Sequence, residues 1–336
     1  MIYRSVGVRA QSSFVRRLVI VTCAGLLCGT AMAQTFPAKP IHSVIAFTAG
    51  GPTDVLGRAM ATAMSKELGV QVVVENRVGA NGNIGTAYVA NQSADGYTIL
   101  VSGVNLPLNP MMSTSTGYRA QDFVPVAVFA KSPMLLVVSS ALGIKTVGEL
   151  VAAAKAKPGA ISYASGGGVG TNPHLAAEYL KIAAGINLQH IPYKGTADSI
   201  PDVVSGRVPV TFFSPVVAGP LAKDGRIIVL GITSPQRDPD WPNTPTLLEQ
   251  GVSNYTYESW YAIMAHSSTP PAVLQRLNAA IAAGLDSPEL QRTMATLGVG
   301  RVRTSLSAAA QYYNNEVTKL SDAVNRHGLQ LTAEAK

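Results

Sequence analysis

Cysteine is nearly missing from this chain: there are two in 336 residues, Cys23 and Cys28. Both fall in an N-terminal stretch that reads as a targeting segment. Arg4, Arg9, Arg16 and Arg17 form a basic opening, Leu18 to Leu27 a short apolar run, and Ala31-Met32-Ala33 a small-x-small cleavage site. The apolar run is about half of the ~20 residues that a spanning helix needs, so it predicts an export signal removed after Ala33, not an anchor. Thr22 and Leu27 precede the cysteines where a lipoprotein signal needs a small residue, which argues against lipidation. The expected mature chain, from Gln34, therefore has no cysteine. Disulfides, thiolate nucleophiles and cysteine metal sites are excluded together.

Charge is also scarce, at 13% of residues, and the aromatic share is 6%. The leader carries four arginines and no acid, so its removal lowers the formal charge from +7 to +3. A nucleic-acid partner thereby loses the basic excess that would point to it. Enzyme signatures are missing as well. There is no G-x-S-x-G elbow, no H-E-x-x-H and no set of β-lactamase motifs. His42, His174, His190, His266 and His327 show no metal-ligand spacing, so neither metal nor cofactor is expected.

What is present is an alternation of β-branched strands with alanine-rich helices, which predicts βαβ units and parallel sheet. The pattern places strands at Ile41–Phe47, Val70–Glu75 and Thr98–Ser102, with helices at Val55–Leu68 and Ile84–Asn91. At 122–140 two apolar strands, Val124–Ala130 and Met134–Val138, follow each other with only Lys131-Ser132-Pro133 between. Here the chain is expected to leave one sheet for another. A second α/β series runs from Val147, behind a Thr146/Glu149 capping box, to the strand Ile227–Ile232. It includes a helix at Ile200–Ser205. Ser234–Pro245 reads as loop, and Tyr255–Ala265 as a strand returning to the first domain. Helices follow at Pro271–Ala283, Pro288–Leu297 and Ser307–Arg326. The fold class is α/β with two domains, 34–130 plus 256–336 and 131–255, and a cleft and hinge between them.

Four turns are candidates for a site. Phe47-Thr48-Ala49-Gly50-Gly51-Pro52-Thr53-Asp54 closes a strand and opens a helix, leaving amides at the positive end of the helix dipole, where an anion is held. Its bland reading is a tight turn with Thr53 or Asp54 as cap. Gly79-Ala80-Asn81-Gly82-Asn83-Ile84-Gly85 lacks the spacing of a dinucleotide fingerprint and reads as a loop with φ > 0, from which Asn81 could present amide donors. Ser165-Gly166-Gly167-Gly168-Val169-Gly170-Thr171 ends another strand before Pro173 and His174. Its glycines allow close approach, Ser165 and Thr171 offer hydroxyls, and the lysine of a Walker loop is missing. His174 is better read as a capping or packing histidine. Finally, Tyr193-Lys194-Gly195-Thr196 contributes a hydroxyl and the one cation expected near these turns. Glycine- and hydroxyl-rich turns in both halves, without a catalytic set, favour binding over catalysis. Ligands of open α/β sheets bind outside the strand ends, and two facing sheets make a clamp.

The residues also resemble a family. Phe36-Pro37-Ala38-Lys39-Pro40-Ile41, Ala49-Gly50-Gly51-Pro52-Thr53-Asp54, Val74-Glu75-Asn76-Arg77 and Gly82-Asn83-Ile84-Gly85 stand in the order typical of the Bug family. So do Asp95-Gly96-Tyr97-Thr98, Pro192-Tyr193-Lys194-Gly195 and Asn243-Thr244-Pro245-Thr246-Leu247. Bug proteins are TctC-like extracytoplasmic solute receptors of tripartite tricarboxylate transporters. The resemblance implies a type II periplasmic-binding-protein fold and a periplasmic monomer. It further implies a small carboxylated ligand (dicarboxylate, aromatic carboxylate or amino acid) held largely by main-chain amides and water, then delivered to membrane permease subunits. Carried over, the turns at Phe47–Asp54, Ser165–Thr171 and Tyr193–Thr196 line the cleft. The sequence departs from the family pattern at Val78, Asn81 and Ala94. It departs again at Phe213-Ser214-Pro215, where many members have an Asp-Asn type sequence near the ligand. Two alternatives accompany this reading: a sensor partner that presents ligand to a membrane kinase, and an exported hydrolase using Asp54 and His174.

Overall fold

A computed structural model describes residues 1–2 and 36–327; the expected leader from residue 3 onward, with Cys23 and Cys28, lies outside the described residues. The chain divides into residues 1–38 and 39–336, and the architecture below belongs to the second part. Strand β1 (Ile41–Ile45) runs into helix α1 (Pro52–Leu68), which returns the chain to β2 (Val72–Asn76). Pro52 occupies the first helical turn, where its missing N–H costs nothing, and Gly69 ends the helix in the left-handed region with φ 70°. Leu56, Met60, Met64 and Leu68 repeat at helical spacing and are buried. At Gly57 the helix lies so close to the sheet that a Cβ would stand 2.7 Å from Ile45 Cδ1.

Helix α2 (Asn83–Ala90), β3 (Thr98–Ser102) and α3 (Asn105–Met112) follow, and then the long strand β4 (Phe123–Pro133). Strand β5 (Leu135–Ser139) comes one residue later, in a different sheet. The second α/β series is α4 (Val147–Ala156), β6 (Ser162–Gly166), α5 (Asn172–Ala184), β7 (Gln189–Tyr193), α6 (Thr196–Val204), β8 (Val210–Phe213), α7 (Pro215–Lys223) and β9 (Ile227–Ile232). The chain then returns as β10 (Glu258–His266), α8 (Pro271–Gly284), α9 (Pro288–Leu297), β11 (Gly300–Arg301) and α10 (Leu306–His327).

Two sheets result, with strand orders β11-β4-β10-β3-β1-β2 and β7-β6-β8-β5-β9. In the first, β1 is parallel to both neighbours, and β10 is antiparallel to β3 and β4. In the second, β6 is parallel to β7 and β8, and β5 is antiparallel to β8 and β9. Every residue of β5 is buried, as expected for a strand covered on both faces.

The passage between sheets is tied by main-chain and hydroxyl bonds. Met134, the single residue between β4 and β5, donates its N–H to Thr233 Oγ1 at 2.8 Å and accepts from Thr233 N at 2.9 Å. Thr233, just past β9, also accepts from Tyr257 N at 2.9 Å. The outgoing and returning strands are thus joined where the chain changes sheets, and Ser259 Oγ adds a bond to Ser132 O at 3.1 Å. Strand β4 runs through Lys131–Pro133, where the sequence suggests a connection.

Two helices escape sequence reading, α3 and α7, and each has an interior proline, Pro110 and Pro220. Proline in a helix interior normally argues against helix. Helix α6 begins at Thr196, four residues before the expected start at Ile200.

Candidate functional site

The first turn is organised by Asp54, which is 3% exposed. Its carboxylate accepts from Gly50 N at 2.9 Å, from Asn76 Nδ2 at 2.7 Å and from Arg58 Nε at 3.0 Å. Asn76 Nδ2 also donates to Phe47 O at 3.0 Å. Gly50 has φ +83°, which a side chain would resist. Burial pushes the Asp54 carboxyl up, but bonds from Arg58, Gly50 and Asn76 outweigh it and hold the group below the ordinary carboxylate range. Asp54 is therefore an ionised brace for the turn. Arg58 places a cation there that the sequence reading assigned only to Lys194, which is exposed.

The Asn81 loop is tied to a neighbouring helix, α3. Asn81, at φ 55°, donates from Nδ2 to Asn109 Oδ1 at 3.1 Å, and Asn109 Nδ2 donates back to Asn81 O at 2.9 Å. Asn105 Nδ2 adds a bond to Asn81 Oδ1 at 3.3 Å, so the side chain is tied to α3 at both its ends.

In the glycine-rich turn the hydroxyls face inward. Ser165 is fully buried, and its Oγ donates to Gly168 O at 3.1 Å and lies 2.6 Å from His190 Nε2. Thr171 Oγ1 donates to the same carbonyl at 2.7 Å. Gly167, Gly168 and Gly170 all have positive φ, with Gly167 N bonded to Tyr193 O at 2.9 Å. Gly170 N donates to His174 Nδ1 at 3.2 Å. Burial first, and then neighbouring His190, push His174 down to about 4, so it is a neutral packing acceptor. Beside it Tyr163 Oη and Lys181 Nζ both donate to Glu178 Oε1 at 2.7 Å.

At Gly166 a Cβ would stand 2.5 Å from the N and Cα of Thr196. The close approach that this glycine permits is to the start of α6. Tyr193, offered by the sequence as a hydroxyl donor, donates a hydrogen bond to Asp202 Oδ2 at 2.7 Å. Burial and that carboxylate push its phenol up to about 12.

Between the two sheets lie two cavities, of about 290 and 200 Å³. Both touch Pro52, Asn172, Ser259 and Tyr261. Phe47 and Thr53 line the smaller, and Gly166, Thr171, Thr196 and Ser214 the larger. Of the other residues singled out from the sequence, Thr48, Ala49, Gly51 and Gly195 shape turns beside the cavities without lining them. The sequence reading gave no role to Asn172, and it missed the strand residues Ser259 and Tyr261 and, of the larger cavity's apolar residues, Met134, Phe212, Leu297 and Val299. Asn172 Oδ1 accepts from Tyr257 Oη at 2.6 Å, which leaves its amide nitrogen as a donor. Only the adjacent strand-to-helix turn signalled Asn172. The β10 residues come from 259 onward and needed the sheet topology.

Four helices begin at the larger cavity, which Pro52 of α1, Asn172 of α5, Thr196 of α6 and Ser214, the cap of α7, all line. Their N-cap residues are Gly51, Thr171, Gly195 and Ser214, and none makes a side-chain capping bond. The same holds for α2, α3, α8 and α9, while Thr146 Oγ1 caps α4 by accepting from Glu149 N at 3.1 Å. Amides of a first helical turn have no intrahelical acceptor, and each N-terminus carries roughly half a positive charge. Asp54 and Asp198 lie in the first turns of α1 and α6, so what the four ends bring to this cavity is main-chain N–H donors.

Two α/β lobes, linked by crossing strands and open to a cavity at their strand ends, define the type II periplasmic-binding-protein class. The family described as "Tripartite tricarboxylate transporter family receptor" matches residues 56–329, and the chain belongs to it, a family of solute-binding receptors. Protein BugT of Bordetella pertussis is 31% identical over 316 residues, 93% of this chain and 96% of BugT. A TctC solute-binding protein from Polaromonas, solved without ligand, superposes with TM-score 0.78 at 28% identity, covering 87% of this chain and 100% of that one. Rpa4515 of R. palustris, solved with adipate, gives TM-score 0.71 at 31% identity, covering 87% and 98%.

Proposed function

We propose that this chain is a periplasmic receptor that captures a small carboxylate between its lobes and delivers it to the permease subunits of a tripartite tricarboxylate transporter. One observation carries the reading: four helix N-termini without side-chain caps border one cavity, and an anion is what such ends favour. The adipate held by Rpa4515 supports it. The lobes are residues 34–130 with 256–336, and 131–255, and the tie at Met134 and Thr233 serves as hinge. The hydrolase alternative loses ground, because Asp54 is committed to three donors and His174 Nδ1 to Gly170.

Scanning calorimetry against a panel of carboxylates, sugars and metal ions tests the proposal. A ligand at a hundredfold excess over Kd stabilises by about 2.7 kcal/mol. A carboxylate should produce such a shift. Shifts with sugars or metals and with no carboxylate would overturn the reading.

A further inference from the structure

A third cavity, of about 380 Å³, lies apart from the two between the sheets and shares no lining residue with them. That volume falls within the roughly 300–1,000 Å³ of small-molecule sites. Its walls come from the C-terminal half of α5, the link at 253–256 that leads into β10, and the later turns of α10. Tyr257 connects this region with the cleft. Its ring meets that of Tyr179 edge to face, with centroids 5.6 Å apart, and its hydroxyl donates to Asn172 Oδ1.

These walls carry polar groups that the fold leaves unused. Ser253, Asn254 and Thr256 form no hydrogen bond, main-chain or side-chain, among the described residues. The Tyr179 hydroxyl has no acceptor among them either. Burial first, and then the Glu316 carboxylate, push that phenol up, so it stays protonated and able to donate. Lys319 gives one N–H to Glu316 Oε1 at 3.1 Å and has two more to offer. Asp322, three residues on, brings a carboxylate to the same side of the cavity. Ile182, Ala183 and Ala323 supply an apolar surface between the two helices. A molecule with one charge alone would meet a like charge here, a carboxylate at Asp322 or an amine at Lys319. A zwitterion satisfies both, with its carboxylate toward Lys319 and Tyr179 and its ammonium toward Asp322. We infer that this cavity is a second binding site, separate from the cleft, for a zwitterionic amino acid with an apolar side chain.

Calorimetric titration of the full mature protein with phenylalanine and with leucine tests this. At least one should bind. Against phenylalanine, 3-phenylpropanoate and phenethylamine keep the ring and lose one charge each, and they should compete at least tenfold more weakly. Two variants then locate the site. Asp322 is exposed, and the Tyr179 hydroxyl bonds to nothing in the fold, so Asp322→Asn and Tyr179→Phe should both fold normally. Each should weaken the bound amino acid at least tenfold, while the stabilisation of the protein by carboxylates of the panel above stays unchanged. Three results overturn the inference: neither amino acid binds, either one-charge analogue competes as well as phenylalanine, or both variants bind as tightly as wild type. The last would move the amino acid into the cleft and leave the receptor reading standing. A panel in which no carboxylate stabilises the wild type overturns the receptor reading alone, because the amino-acid titration and its variants do not depend on the cleft.

Discussion

Asp54 shows what one side chain can do when its partners come from different distances along the chain. Arg58 is one helical turn away, a spacing that sequence reveals as an i,i+4 pair. Asn76 is 22 residues away and reaches Asp54 only because β1 and β2 are adjacent. Removing the carboxylate in Asp54→Ala would leave Gly50 N and Asn76 Nδ2 facing an empty site. Because Arg58 is half exposed, its share of the loss is small. Urea unfolding should show about 2 kcal/mol lost, mainly from donors left unmatched. Carboxylate affinity should fall with it, because Gly50 would no longer be held at its positive φ. A variant as stable and as tight as wild type would show that the turn needs no brace.

At the scale of elements, the strand-to-helix turns were legible and the helices beyond them only in part. Pro52 and Pro173 stand in first turns, where proline is at home, and α1 starts at Pro52, three residues before the expected Val55. Pro110 and Pro220 stand inside α3 and α7, where local preference argues for loop, and packing overrides it. This mattered for the site, since missing α7 hid one of the four N-termini. The hydroxyls of Ser165 and Thr171 were visible as donors, but the direction of their bonds was set by the fold of the glycine turn. Gly166 fixes that turn against α6. Gly166→Ala would drive a methyl group into the backbone of Thr196, a contact that no rotamer can relieve. Overpacking of this kind costs about 1–3 kcal/mol. The thermal midpoint should drop, and ligand binding should weaken as α6 moves from the cavity. An unshifted midpoint would mean that α6 has room to retreat.

The whole molecule should lose stability on the acid side in two stages. Burial depresses His174, to about 4, and also lowers His190. Glu178, Lys181 and Tyr163 surround the pair and do not reverse the direction. Between the unfolded histidine value near 6.5 and about 4, the unfolded chain binds protons that the folded one refuses, so stability falls as pH falls. The slope is up to about 1.4 kcal/mol per pH unit for each histidine. Below that range Asp54, Asp122 and Glu178, all held low in the fold, add a second loss as they take protons. Urea midpoints at pH 7, 6 and 5 should decline stepwise, and His174→Asn should flatten the first stage. A profile level from pH 7 to 5 would exclude buried neutral histidines.

Local pattern alone determined much of this protein: the alternation of strands and helices, the change of sheet near residue 134, and glycine-rich turns at strand ends in both halves. These follow from side-chain periodicity, glycine and proline placement and helix-end chemistry, which act over a few residues. The tertiary structure alone decided which turns face one cavity, that four helix ends meet there, and that Phe213 of one lobe shares a wall with Leu297 and Val299 of the other. The reason is physical. A helix end is positive wherever it occurs, but the meeting of four such ends, and the apolar residues beside them, depend on distances between segments up to 247 residues apart, from Pro52 to Val299.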